Sequence, residues 1–250
     1  MKMTEQRWER IGAATGAGFA VLAVIAYAIA NRLPAVDATI TEKVGYFVGQ
    51  RTELLWQTYI FCGSAMMYLW FAGSLRHTLW KAEGDTGRLA NVAYGAALTT
   101  LAVAMVSQAL VATLAYNLAA VPGAGGATAT LVLYSIARIA VTLMLFPAAV
   151  LIGATSIVVI RHRALPMAVA VAGIPLAVAM VAAGGAFRSS GAAAPGGVLV
   201  QMMFLGLLTW TLGTSVAMVA QIGTATEPRT IYLDQPQRER LTEMHETTAG

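Results

Sequence analysis

A chain of 250 residues with 58% hydrophobic and only 11% charged side chains is not a soluble globular domain, which carries about 25% charge. So few charges cannot cover the exterior at this length, so lipid must solvate much of it. A net charge of +4 would fit nucleic acid, but the basic residues sit at the ends of apolar runs rather than in one patch, which excludes that partner. A single cysteine, Cys62, leaves no intrachain disulfide to form.

In chain order, the N-terminal MKMTEQRWERIG and the apolar run over residues 11–30 resemble a signal peptide. The run is long enough to span, however, and Glu5 and Glu9 are foreign to the basic start of such a peptide, so it reads as a retained first helix. Within it, Gly12 and Gly16 make a small-residue face suited to helix contact or dimerisation. Residues 31–52 form the longest outer loop, where VDATITEKVGYFVGQR predicts a short interfacial helix with Val44, Phe47 and Val48 turned to lipid. Further spans are predicted over residues 53–75, 90–117, 128–160, 166–187 and 198–222. The third and fourth exceed what a bilayer needs, and Pro147 and Pro175 are expected to kink the fourth and fifth. The predicted fold is therefore all-α, a polytopic bundle of six transmembrane helices over residues 1–222. A polar tail over residues 223–250 follows, with a short helix expected near 235–245.

The basic residues orient this frame. Lys2, Arg7, Arg10, Arg76, Lys81, Arg88, Arg161, Arg163, Arg229, Arg238 and Arg240 fall on one side, against Arg32, Lys43, Arg51 and Arg188 on the other. That asymmetry predicts both termini and the tail in the cytoplasm of a cell (plasma) membrane protein. Trp8 and Trp80 then lie at the inner interface and Trp56 at the outer one.

Arg138 is the only charge between Leu89 and Ile160, and an ionisable residue at membrane depth is a functional candidate by default. Glu53 opens the second span at a similar outer depth, so a Glu53–Arg138 pair between helices is expected, the bland alternative being an arginine that snorkels to headgroups. Ser107, Gln108, Thr113, Tyr116 and Asn117 crowd the outer half of the third span, with Tyr134 and Ser135 approaching the same level. Arg138, Glu53, Gln108 and Tyr134 form the candidate ligand site, although such hydroxyls and amides more often hold helices together.

His77, His162 and His245 lie outside the spans, two of them beside arginines, so neither metal nor haem is expected. Glu83 and Asp85 read as part of a solvated inner loop. With no nucleophilic triad, phosphate loop or CxxC pair, the chain reads as non-enzymatic and without a cofactor.

Three stretches carry a resemblance: FAGSLRHTLWKAEGDTGRLANVAYGAALT, LFPAAVLIGATSIVVIRHRALPMAVAVAGIPLAV and PGGVLVQMMFLGLLTWTLGTSVAM. Phe71, Leu75 and Arg76 close one helix, Gly84, Asp85, Gly87 and Arg88 form the loop, and Leu165 and Pro166 open the fifth span. In order and spacing these resemble an uncharacterised actinobacterial six-span family, similar to the domain of unknown function 4386 group. The resemblance implies a fold and a membrane location, and it brings no catalytic residues. That family often has Pro-Arg-Trp at the start of the fifth helix; here Met167 and Ala168 follow Pro166, so a role attached to that element does not carry over.

Two functions are expected from these residues. The first is a structural or accessory subunit packing with a membrane protein partner or with itself. The second is a small transporter or a binder of lipid or amphiphile at an outer-leaflet site near Glu53 and Arg138.

Overall fold

The computed structural model describes residues 2–29, 33–84, 87–116, 121, 124–185, 187 and 190–224. Eight helices follow one another: α1 (Lys2–Ile29), α2 (Ile40–Gly49), α3 (Arg51–Glu83), α4 (Arg88–Tyr116), α5 (Ala124–Leu143), α6 (Leu145–His162), α7 (Met167–Gly184) and α8 (Val198–Thr224). No strand occurs among the described residues.

Five segments are long and apolar enough to cross a membrane: Arg7–Ile29, Arg88–Tyr116, Gly125–His162, Met167–Gly184 and Val198–Ile222. The predicted second span lies in α3, which is longer than any of the other helices but diluted by Trp56, Gln57, Tyr59, Tyr68 and Trp70. Consecutive rods pack side by side. α1 lies on α3, α3 on α4, α4 on α6, α6 on α7, α7 on α8, and α8 returns to α1, closing a ring. Trp8 and Trp80 sit at one end of this bundle, while Trp56, 24 residues before Trp80 on the same helix, lies about 36 Å away.

The fourth predicted span, 128–160, is not one helix. α5 ends at Leu143 and α6 begins at Leu145. Pro147 is the cause, because it has no N–H to return and its ring collides with the carbonyl four residues back, that of Leu143. α7, by contrast, runs through Pro175 unbroken.

Packing relies on small residues, since lipid is as apolar as the core and only close contact favours one helix against another. Ala13, Ala72, Ala93, Ala97, Ala148 and Ala170 are among the buried positions. Gly12 lies against Ser74, and Gly16 against Phe71 and Ser215, so closely that a methyl group at either would collide. Ser215 locks the seam, donating to the Ala13 carbonyl at 2.5 Å and accepting from the Ala17 N–H at 3.1 Å. Of the two uses expected of this face, helix contact and dimerisation, the structure shows the first, with α3 and α8 of the same chain.

Helix ends are finished locally. Thr39 and Glu42 form a reciprocal capping box at α2. Glu83 takes the N–H groups of Leu89 and Ala90, at 3.1 and 2.7 Å, so the residue read as loop charge caps the start of α4. The short helix expected in the outer loop is α2, but its orientation differs from the expectation. Phe47 is fully buried against Leu54, Val111, Leu114 and Tyr134, while Val48 faces out. The helix expected near 235–245 lies outside the described residues.

Candidate functional site

Arg138 sits in α5, one turn and a half before the Pro147 break, and only 8% of its surface is exposed. It does not snorkel. One terminal nitrogen donates to the Gly196 carbonyl in the α7–α8 connection, and the guanidinium carbon lies 5.9 Å from the Tyr134 ring centre. Nε has no hydrogen-bond partner. Among the described residues the ion pairs are those of Glu9 with Lys81 and His77 at the far end of the bundle, so no carboxylate balances Arg138.

A cavity of about 340 Å³ opens beside it, within the range of roughly 300–1,000 Å³ usual for small-molecule sites. Helices α1, α3, α4, α5 and α8 all contribute to the wall. Its polar residues are Arg138, Gln57, Gln108, Gln201 and Tyr27, and the remainder, such as Phe61 and Phe204, is mainly apolar. Tyr27 donates to the Gln201 side chain at 3.1 Å. Gln57 and Gln108 each carry a buried carbonyl oxygen with no donor. Three of the wall residues therefore hold an unpartnered polar atom, in a protein class where such atoms are costly.

The four predicted site residues fare differently. Arg138 and Gln108 line the cavity together. Tyr134 is fully buried behind Arg138, one helical turn away, and gives its hydroxyl to the Pro34 carbonyl. It shapes the site without facing the space. Glu53 is exposed and does not pair with Arg138, which corrects the expected ion pair. One turn further along α3, on the same face, Gln57 takes the place in the wall that Glu53 was expected to hold.

The neighbouring polar residues act as glue. Ser107 donates across to the Ala137 carbonyl at 3.1 Å, joining α4 to α5. Thr113 and Ser135 bond back to their own helices, and Tyr116 lies 5.6 Å beneath Arg51 at the surface. Asn117 lies outside the described residues.

A second cation supports the site from α2. Lys43 is buried, donates to the Val36 carbonyl at 2.6 Å and lies 5.4 Å from the Tyr134 ring centre. Burial pushes its ammonium below the ordinary lysine range, against the opposing pull of Asp37 and Glu42. One aromatic ring thus carries Lys43 of α2 and Arg138 of α5.

Sequence reasoning missed Gln57, Gln201, Tyr27 and Gly196. The two glutamines were visible as amides inside apolar runs, the same signal that singles out Gln108. Gly196 offers a backbone carbonyl, which no residue type announces. Among the described residues no three His, Cys, Asp or Glu side chains gather as a metal ion would need. No protein-family model, curated protein or solved structure matches the chain.

Proposed function

We propose that this chain is a six-span plasma-membrane protein with both termini in the cytoplasm, and that it binds a small amphiphilic molecule in the Arg138 cavity at the outer end of its bundle. Six spans follow if α3 crosses too. It packs along α1 and α4, each apolar enough to span, and its 33 residues reach about 50 Å. The excess of Lys and Arg at the other end supports the orientation.

The observation that carries the function is a buried arginine with no carboxylate partner among the described residues, set in a cavity whose walls are otherwise amide, phenol and apolar. A charge held this way costs several kcal/mol unless something compensates it, and a ligand is a compensating partner. The apolar part of the wall suits a hydrocarbon body and the polar part a head. We assign no catalysis to the site.

An accessory role with a protein partner, the first reading of the sequence, becomes the second one here, supported by the polar tail. It loses Gly12 and Gly16 as its interface, because those contacts are used inside the chain. The resemblance to the domain of unknown function 4386 group is compatible with either.

Native mass spectrometry on protein extracted gently from its own membrane distinguishes them. A small molecule retained by the wild-type chain and lost from Arg138→Gln supports binding. A stoichiometric protein partner with no small ligand would favour the accessory role and overturn ours.

A further inference from the structure

Resting on the binding reading, the geometry points to an anionic head: we propose that the ligand is an amphiphile with a carboxylate or phosphate group, and that this group takes Arg138 from the Gly196 carbonyl. The guanidinium has five N–H donors, and a neutral carbonyl is the hydrogen-bond partner it has here. An anionic oxygen makes a bond roughly twice as strong as a neutral one, and a fork of two such bonds fixes the group's position. Gln57 and Gln108 adapt to the same head. Each has an unpartnered oxygen that accepts from a hydroxyl, and each amide turned about its last bond offers N–H₂ to an anion instead. A cationic head would meet Arg138 across a poorly screened interior and be rejected.

Gly196 behaves as a latch on this site. Its φ of +64° is a left-handed conformation that glycine adopts freely, and a side-chain carbon there would strike Nε and the central carbon of the Arg138 guanidinium. The Gly196 carbonyl therefore occupies one guanidinium N–H that an anion oxygen would otherwise take. Its own N–H donates to Thr142 Oγ1 at 2.8 Å, and Thr142 in turn donates to the Arg138 carbonyl at 3.0 Å. One turn of α5 thus holds the connection by both its N–H and its C=O. An arriving anion breaks the second of these bonds and leaves the first as a hinge.

The test is calorimetric titration of the full chain in nanodiscs of dioleoyl phosphatidylcholine with decanoate, decyl phosphate, decanol and decylammonium. The anions should bind about ten- to a hundredfold more tightly than decanol, the difference made by a fork of two charged hydrogen bonds over neutral ones. Arg138→Gln should erase that preference, with Arg138→Lys retaining part of it. Thr142→Val, which loosens the connection without touching the guanidinium, should raise anion affinity and leave decanol unchanged.

Equal binding of all four probes, or an unchanged preference in Arg138→Gln, would overturn the anionic head while sparing the cavity. A lower anion affinity in Thr142→Val would overturn the latch. Binding of no probe by the folded chain would remove the cavity reading itself. Repeating the titration in phosphatidylglycerol nanodiscs identifies the source of the anion. Competition with decanoate marks a bilayer lipid headgroup, and its absence marks a free amphiphile, both within the proposed chemistry.

Discussion

Two glycines on α1, two residues apart, should respond in opposite directions to the same added methyl group. At Gly16 a methyl would lie 2.5 to 2.9 Å from the Phe71 ring and the Ser215 side chain. At Gly18 it would meet the Met67 sulfur at 3.7 Å, an ordinary contact. Exchanging glycine for alanine inside a helix favours the helix by about 0.8–1 kcal/mol. Forcing a methyl into a filled seam costs typically about 1–3 kcal/mol. At Gly16 it also threatens the two bonds of Ser215, each worth about 0.6 kcal/mol between membrane helices. Summing these, Gly16→Ala should lose about 1–3 kcal/mol, while Gly18→Ala should be neutral or gain up to about 1 kcal/mol.

Reversible unfolding of the detergent-solubilised chain by added sodium dodecyl sulfate, followed by tryptophan fluorescence, measures both. Oligomeric state is read in parallel by size-exclusion chromatography with light scattering. The two variants behaving alike would refute the internal seam. So would Gly16→Ala dissociating an oligomer at unchanged subunit stability, because the small-residue face would then belong to an interface between chains.

Two further outcomes concern the segment around α2. Tyr134→Phe removes the bond to the Pro34 carbonyl and keeps the ring beneath both cations, so it should cost about 1 kcal/mol and raise amide exchange in residues 33–49 while sparing α7. The pH dependence of the same segment has two arms. Lys43 has a lowered pKa in the folded chain, so the unfolded chain binds more protons below the ordinary value of about 10.4, and stability rises with pH through that window. Tyr46, pushed up to about 12 by burial first and by Tyr134 and Glu53 after it, reverses the sign above its ordinary value of about 10. Thermal melting between about pH 8 and about pH 11 should show a maximum at about pH 10, and Lys43→Met should flatten the rising arm; a monotonic fall in the wild type would contradict the burial of Lys43.

What the sequence makes legible here is what distinguishes lipid from water. The apolar segments were readable because their length and lack of charge have no other use, and so was a disturbance at Pro147. The same chemistry at Pro175 leaves α7 unbroken, however, and nothing in residue type says that one proline ends a helix and the other does not. The facing of each helix was not readable, because core and lipid are equally apolar. Val44, Phe47 and Val48 do stand out as one group on α2, yet nothing in their chemistry says that Phe47 is enclosed by Leu54, Val111 and Tyr134 and that Val48 is not. The same ambiguity explains Gly12 and Gly16, whose pattern fits an inner seam as well as an outer one. Charge misled in another way. Arg138 suggests a carboxylate partner, and Glu53 was near enough in depth to be chosen. Arg138 and Lys43 are instead held by backbone carbonyls and one tyrosine ring, partners that leave no mark in residue type.

That manner of holding cations is itself an argument about purpose. A carboxylate partner would neutralise Arg138 permanently and close the site to anions. A carbonyl stabilises the guanidinium enough for the helices to pack and leaves its charge uncancelled. The same is true of the aromatic ring, worth about 0.5–2 kcal/mol to a cation. Together they keep a positive charge in a cavity lined with amides and hydrocarbon, at the end of the bundle where α1, α3, α4, α5 and α8 converge. The cost of that arrangement falls on the unliganded protein, and on the binding proposed above it is recovered when an anion arrives. A merely structural arginine gains nothing from being left so, since an apolar residue of similar volume would pack there at least as well.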